Sequence, residues 1–157
     1  MSNDSRPLKT IEESWTEQIH LLRYEDINGE NRLFGGKLVS WIDEVGGIVA
    51  KRHAGMKVTT ASIDNLRFKE PAHVIIGYVT YVGNTSMEVR VDTYLEEKDG
   101  TRRAINRAYL SLVGLDDNGC PKQIPYGIRV ETESQKGDYE GALKRMELRK
   151  RRQMEGF

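Results

Sequence analysis

Apolar residues between Phe34 and Arg52 recur at the spacing of one helix face. At about 100° per residue, six of them fall on a common stripe that predicts contact with the core: Leu38, Trp41, Ile42, Val45, Ile48 and Val49. Basic residues followed by a glycine predict that the helix ends at His53-Ala54-Gly55. The pattern therefore predicts one long amphipathic helix that begins at Phe34-Gly35-Gly36.

Strand-like runs flank this helix, one before it and four after it. In the fourth of the five, Met87, Val89 and Val91 alternate with polar residues, which predicts a strand with one face in water. One helix and long strands linked by short turns indicate an α+β fold, with an antiparallel sheet packed on a central helix. The predicted strands are Trp15 to Leu22, Val58 to Phe68, Val74 to Val82, Ser86 to Leu95 and Arg102 to Leu115.

The composition changes at both ends of this region. We expect a polar N-terminal segment over residues 1–13, one folded domain over 14–126 and a charged helical tail over 127–157. The predicted tail helix begins at Gly137, with Leu143 and Met146 as apolar positions. Its run Arg149-Lys150-Arg151-Arg152 could bind phosphates, although a solvent-exposed helix face is the favoured interpretation.

Overall composition excludes several classes of protein. The 157 residues carry no formal net charge, so nothing indicates a general nucleic-acid or membrane-surface binder. Neither a signal peptide nor a run of about 20 apolar residues is present, so we expect a cytoplasmic protein. Cys120 is the single cysteine and cannot form an intrachain disulfide. The three histidines lack metal-ligand spacing, so we expect no metal site.

A second face of the predicted helix is made of small residues around one carboxylate, Asp43, which this pattern predicts to be buried. Gly46 and Gly47 follow it, and a glycine inside a helix costs about 1 kcal/mol relative to alanine. Something is therefore expected to approach the backbone closely, either a partner helix or a ligand. From the residues alone, a catalytic carboxylate and a structural ion pair both remain possible, and the structural role is favoured.

Several segments, in order and with compatible spacing, resemble the bacterial single-hotdog-domain acyl-CoA thioesterases related to the brain-type hydrolase. The likeness covers about Trp15 to Pro125. It implies a hotdog fold, in which a five-stranded antiparallel sheet wraps a long helix. It also implies subunits paired into a continuous sheet, commonly as three pairs in a hexamer, with active sites between paired subunits. The segments are Asp26-Ile27-Asn28, Leu33-Phe34-Gly35-Gly36, Trp41-Ile42-Asp43-Glu44, Arg52-His53-Ala54, Thr60-Ala61-Ser62-Ile63-Asp64, Phe68 with Pro71, and Thr85-Ser86-Met87-Glu88-Val89.

The resemblance also implies the chemistry. Asp43 matches the catalytic carboxylate, which acts as general base or as nucleophile, and Asn28 matches an asparagine from the opposite subunit. Thr60 matches a hydroxyl that holds the carboxylate or the water. The expected reaction converts acyl-CoA into a free acid and coenzyme A without a cofactor. Thiol ester hydrolysis also needs donors for the developing oxyanion, and free N–H groups around Gly35 and Gly36 are candidates.

Phe34, Gly35 and Ser62 are the remaining expected substrate contacts. Without the resemblance, Asn28-Gly29 would be interpreted as a turn, and Thr60 could equally be an ordinary strand residue. A histidine-dependent hotdog dehydratase is disfavoured, because no histidine shares the Asp43 face. The alternative function is a non-catalytic hotdog module that binds acyl-CoA as a sensor or docking domain.

Overall fold

The computed structural model describes residues 4–157, which form one antiparallel sheet around a long helix. The strands are β1 (Leu8–Thr10), β2 (Thr16–Ile19), β3 (Lys57–Asp64), β4 (Val74–Val82), β5 (Ser86–Glu96), β6 (Arg102–Leu115) and β7 (Gly127–Arg129). The helices are α1 (Gly35–Ala54) and α2 (Glu133–Glu155), and a short 3-10 helix covers Tyr24–Asp26. Strand order in the main sheet is β2-β4-β5-β6-β3, so β2 and β3 are its edges.

The central helix confirms the prediction from the apolar stripe. Five of the six predicted positions are buried, and Ile48 is the exception, because it is only half-buried at the helix surface. The helix ends at Gly55, which takes the left-handed conformation at φ 63° and donates its N–H to the Lys51 carbonyl. Gly77 explains how β4 comes so close to α1, since a Cβ there would lie 2.8 Å from Val45.

The predicted strands β4 and β6 have the bounds expected, and β5 extends one residue further. The prediction that β3 continues to Phe68 is wrong. The strand ends at Asp64, and the chain turns at Asn65 with φ 65°. Strand β2 is also shorter than expected. A parallel pairing of β1 with β7 was not predicted, and it joins the polar N-terminal segment to the start of the tail.

Helix α2 lies on the outer face of the sheet. The helix begins at Glu133 rather than Gly137, because Thr132 and Gln135 form a capping box at its start. The predicted wet face of β5 is therefore not in water: Glu88 and Asp92 are buried. In the tail's basic run, Lys150, Arg151 and Arg152 are exposed as expected, but Arg149 is half-buried and binds both Asp64 and Glu88. On this sheet face Glu88 pairs with arginines of the helix, whereas Asp92 pairs with Arg90 and Arg107 of the sheet.

Candidate active site

Asp43 lies on the outer side of α1 and is exposed in the single chain, so its predicted burial is wrong for the chain alone. The Thr60 hydroxyl of β3 donates a hydrogen bond of 2.6 Å to Asp43 Oδ1. A bond this short to a carboxylate is charge-assisted and fixes its orientation. The two residues predicted to work together are therefore in direct contact, and the other carboxylate oxygen has no partner among residues 4–157.

A bulge in β3 sets the position of Thr60. Thr60 pairs with Leu112 and Ser62 pairs with Ser111, so Ala61 is the extra residue. Bulges bend a strand and redirect its side chains, and they are common beside active sites. Ser62, a predicted substrate contact, lies beyond the bulge and makes no hydrogen bond to Asp43 within the described chain. The structure therefore brings Thr60, but not Ser62, to the carboxylate.

The two helix glycines have different surroundings. A Cβ at Gly46 would lie 2.5 Å from Leu110 of the core, so this glycine permits packing of α1 on the sheet. A Cβ at Gly47 would meet nothing within 4 Å. Gly47 lies instead in an open groove of about 380 Å³ between α1 and β3, lined by Asp43, Glu44, Gly47, Ile48, Lys51, Lys57 and Val58. The free edge of the sheet and the carboxylate therefore share one open surface.

Asn28 is exposed and forms the tight turn that its sequence context predicts. Its side-chain oxygen accepts hydrogen bonds from the backbone N–H groups of Glu30, at 3.0 Å, and Arg32, at 3.2 Å. These contacts are typical of an Asx turn. The side-chain amide nitrogen has no acceptor in the part of the chain that the structure describes. Turn formation and a role in binding are thus compatible, because they use opposite ends of the same amide.

The start of α1 presents unpaired donors. Phe34 N–H donates to the Asp26 carbonyl at 2.8 Å, and Lys37 N–H donates to the Phe34 carbonyl at 2.9 Å. Between them, the N–H groups of Gly35 and Gly36 have no acceptor within residues 4–157. The first N–H groups of a helix point out of its end and favour negative charge there. These glycines therefore offer two donors to an anion.

Aromatic rings lie close to both glycines at this helix start. A Cβ at Gly36 would lie 2.6 Å from the Phe34 ring, and one at Gly35 would lie 3.0 Å from the Phe68 ring. Both rings remain largely exposed, Phe34 at 56% and Phe68 at 60%. Phe68 also borders a cavity of about 330 Å³ with Asn28, Gly35 and Leu38. Phe68 was expected at the end of a strand and was not assigned to the site, although Pro71, three residues later, was a signal that this segment is a loop.

Asn28 and Asp43 do not meet in one chain. Asn28 and Gly35 line the cavity at the helix start, whereas Asp43 lines the groove beside β3. Asp43 follows Gly36 by seven residues, which is about 10 Å along the helix axis. A thioester carbonyl held at the Gly36 N–H would therefore lie out of reach of Asp43 in the same chain. The chain alone therefore carries two separate halves of the predicted site.

Comparison with known proteins places these residues in a family. The family model described as the thioesterase superfamily matches residues 30–101. A relative from Bacillus subtilis, named an uncharacterized acyl-CoA thioester hydrolase, is 38% identical over 133 residues, covering 81% of this chain and 77% of the relative. The chain belongs to the thioesterase superfamily. Within it, this thioesterase groups with proteins named acyl-CoA thioester hydrolases.

Solved structures resemble this thioesterase over nearly its whole length. An acyl-CoA hydrolase from Staphylococcus aureus, in complex with butyryl coenzyme A, coenzyme A and coenzyme A disulfide, has a TM-score of 0.84 and 35% identity; the match covers 96% of this chain and 94% of that one. The same hydrolase is also solved with an asparagine, an aspartate or a threonine changed to alanine. A hexameric acyl-CoA thioesterase has a TM-score of 0.86 and 37% identity, covering 93% of this chain and 97% of that one.

These likenesses confirm that this thioesterase has the predicted hotdog fold. Across residues 4–157, neither helix has the length and apolar character needed to cross a membrane. Among the same residues, no three His, Cys, Asp or Glu side chains form a group that could hold a metal ion. The candidate site that the structure describes contains the Asp43 carboxylate, the Thr60 hydroxyl, the Asn28 amide and backbone N–H groups.

Proposed function

We propose that this thioesterase hydrolyses acyl-CoA to a free carboxylic acid and coenzyme A at a site formed by two subunits. Asp43 acts at the thioester carbon, and the Gly35 and Gly36 N–H groups receive the carbonyl oxygen. The observation that carries the proposal is the 2.6 Å hydrogen bond that holds an exposed carboxylate beside an open groove. Membership among the acyl-CoA thioester hydrolases supports the substrate class.

The carboxylate has one oxygen held and one available. Thr60 occupies Oδ1, so Oδ2 is left to take a proton from water or to attack the carbonyl carbon directly. General-base catalysis by a positioned carboxylate contributes about 10²- to 10⁴-fold. Direct attack would instead form an acyl-enzyme anhydride that water then hydrolyses. Both routes release the coenzyme A thiol, and both need Asp43 ionised and fixed by Thr60.

The carbonyl oxygen gains negative charge in either route. Gly35 and Gly36 offer two N–H donors at the positive end of the α1 dipole, and neither residue has a side chain that would keep the thioester away. Loss of one oxyanion donor in acyl transfer costs about 10²- to 10³-fold in rate. Asn28 lies beside them with a free amide nitrogen, so it can orient the carbonyl or the attacking water.

Assembly follows from the separation of the two halves. A carbonyl held at Gly35 and Gly36 of one subunit needs an Asp43 from another, because about 10 Å of helix separates them within a chain. Strand β3 is an open edge of eight residues, and the groove beside it contains Gly47 and the half-buried Ile48. An unpaired edge of this length favours pairing with another chain. We therefore propose a homodimer as the minimal active unit and a trimer of dimers as the assembly.

The solved relatives support this assignment. The Staphylococcus hydrolase binds coenzyme A and butyryl coenzyme A, and the residue types altered in its variants match Asn28, Asp43 and Thr60. Three further neighbours are hexameric. Shared fold and shared residue types together favour a hydrolase over a module that only binds acyl-CoA.

The first test compares thiol release from acyl-CoA esters, acetyl to palmitoyl, by the unmodified protein, Asp43→Asn and Glu44→Gln. The adjacent Glu44 lines the same groove and is the matched control for a lost charge. We expect Asp43→Asn to lower kcat by about 10³-fold and still bind coenzyme A, and Glu44→Gln to change kcat by less than about 3-fold. Tight acyl-CoA binding without turnover by the unmodified protein would establish the binding module instead.

Mixed subunits test the shared site. Asp43→Asn and Asn28→Ala are each expected to be nearly inactive, but a hybrid dimer contains one site with both changes and one with neither. Equal mixing with subunit exchange should therefore restore about a quarter of the unmodified activity. No recovery, despite exchange shown by native mass spectrometry, would place Asn28 and Asp43 in the same subunit's site or remove one of them from the reaction.

A further inference from the structure

Asp26 is a buried carboxylate in an exposed part of the chain. The residue is 3% exposed, although residues 21–25 before it and 28–32 after it are all exposed. Ionised side chains are rarely buried without partners, because leaving water costs them free energy. The burial of Asp26 beside the loop that carries Asn28 therefore needs a reason.

Its contacts join both ends of that loop to helix α1. Asp26 Oδ2 accepts the Arg23 N–H at 2.9 Å, and Lys37 Nζ lies 3.2 Å from Oδ1. The Asp26 carbonyl accepts the N–H of Phe34, the residue that caps α1. The Arg23 N–H and the Lys37 ammonium lower the pKa of Asp26 below its usual value, so the carboxylate is ionised at neutral pH.

The loop between these contacts is a closed unit. Ile27 bridges to Leu33, and the Asn28 N–H donates to the Arg32 carbonyl at 2.7 Å. The unit therefore has a defined internal shape, but its orientation on the helix depends on Asp26. Lys37 directly follows Gly36, so the ion pair links Asn28 to the turn of α1 with the two free N–H groups.

We propose that Asp26 is a positioning residue that, through Lys37, fixes Asn28 relative to the Gly35 and Gly36 donors. The inference rests on the proposed function, because the geometry it fixes is that of the oxyanion side of the site. An exposed ion pair would contribute little, but here the carboxylate side chain is only 4% exposed. Loss of the pair frees the loop to move by fractions of an ångström, which reduces rate more than binding.

The test is a double-mutant cycle with Asp26→Asn, Lys37→Met and both together. Asparagine keeps the acceptor for the Arg23 N–H and removes the charge, so the turn persists while the ion pair is lost. We expect each single change to lower kcat about 10-fold, KM to change less than about 2-fold, and the double variant to be no worse than either single one. Lys37→Arg should restore most of the activity.

Arg23→Met is the matched control, because it removes a cation near the Asp26 carboxylate. In the described chain the Arg23 side chain forms an ion pair only with Glu25. It should retain kcat within about 2-fold. A purely structural role for Asp26 would lower the melting temperature while leaving kcat per folded site and the amide exchange of Phe34 unchanged. We expect kcat per folded site to fall and exchange at Phe34 to become faster, whether or not the melting temperature also falls.

Failure of the inference is distinguishable from failure of the proposed function. Normal turnover by Asp26→Asn and Lys37→Met, alongside collapse in Asp43→Asn, would overturn the positioning role and leave the hydrolase intact. Additive losses in the double variant would also overturn it, since the two residues would then act independently. No turnover by the unmodified protein would overturn both.

Discussion

Removing the carboxylate of Glu88 should detach much of helix α2 from the sheet. The Glu88 side chain is 2% exposed and lies under the helix. It accepts hydrogen bonds from Arg145 at 2.7 Å, from Arg149 at 2.9 Å and from the Thr80 hydroxyl at 2.8 Å. Only Ala142 of α2 is fully buried, so apolar packing contributes little to holding this helix. Polar contacts therefore hold much of the helix: the Glu88 cluster toward its C-terminal half, and Asp138, which binds Arg90 and Tyr78, toward its start.

The magnitude follows from what Glu88→Ala leaves behind. Arg149 keeps its bond to Asp64 at 2.9 Å, whereas Arg145 keeps only its stacking on the Tyr109 ring at 3.5 Å. Breaking a buried ion pair from one side costs about 3–5 kcal/mol. Arg145 is 23% exposed and can recover some hydration, so we expect the lower end, about 3 kcal/mol. At about 2–4 °C per kcal/mol for a chain of this size, the melting temperature should fall by about 6–12 °C.

The assay is thermal unfolding by circular dichroism at one fixed protomer concentration, because assembly makes the melting temperature depend on concentration. Glu88→Leu combined with Arg145→Met removes both charges, and replacing a buried pair by apolar residues is often nearly neutral. This double variant should therefore regain most of the loss. Arg151→Ala removes an exposed pair with Glu155 and should change stability by less than about 1 kcal/mol. A fall of less than about 2 °C in Glu88→Ala would refute the ion cluster as an attachment of α2.

Two other predictions concern the central helix. Gly46→Ala should lower the free energy of unfolding by about 0–2 kcal/mol, because the clash with Leu110 costs about 1–3 kcal/mol and alanine regains about 1 kcal/mol in the helix. Gly47→Ala should leave each subunit folded but weaken assembly, as measured by light scattering. An unchanged oligomer would contradict close approach of another chain at Gly47. His53 is fully buried, and burial lowers its pKa below 6.5. As pH falls below about 6.5, His53 therefore becomes protonated in the unfolded chain but not in the folded chain. Protonation of the unfolded chain lowers the free energy of unfolding, so stability is lost below that pH. Urea unfolding at about pH 7.5 and about pH 5.5 should show a smaller difference for His53→Gln than for the unmodified protein.

The sheet illustrates what a period-2 pattern can determine. Alternation of Met87, Val89 and Val91 with polar residues correctly located β5 and its core face. The polar face was assigned to water, but Glu88 lies under Arg145 and Arg149. Both arginine side chains and water can donate hydrogen bonds to a carboxylate. A polar position in the sequence therefore does not show whether the residue faces solvent or a buried arginine. Arg149 of the basic run was misassigned for the same reason, because its partners lie more than 60 residues away.

The short strands β1 and β7 were not predicted, for a different reason. Strands β1 and β7 have three residues each, too few to establish a periodicity, and they pair across almost the whole chain. Lys9 of β1 reaches the end of α1, where its ammonium binds the carbonyls of Arg52 and His53. Such contacts depend on tertiary structure, whereas the αL glycine that ends α1 is a local signal and was predicted.

The small-residue face of α1 shows what a single sequence does not distinguish: contact within the chain and contact with another chain. Helical periodicity grouped Gly46 and Gly47 on one face, yet the first packs on the core and the second opens onto the groove of Asp43. Periodicity cannot separate a surface covered by the same chain from one covered by another, because both favour small and apolar residues. Ile48 and Gly47 remain uncovered beside an unpaired strand edge, and Asp43 remains exposed. The predicted burial of Asp43 thus requires a second subunit, as does contact between Asp43 and the half-site of Asn28.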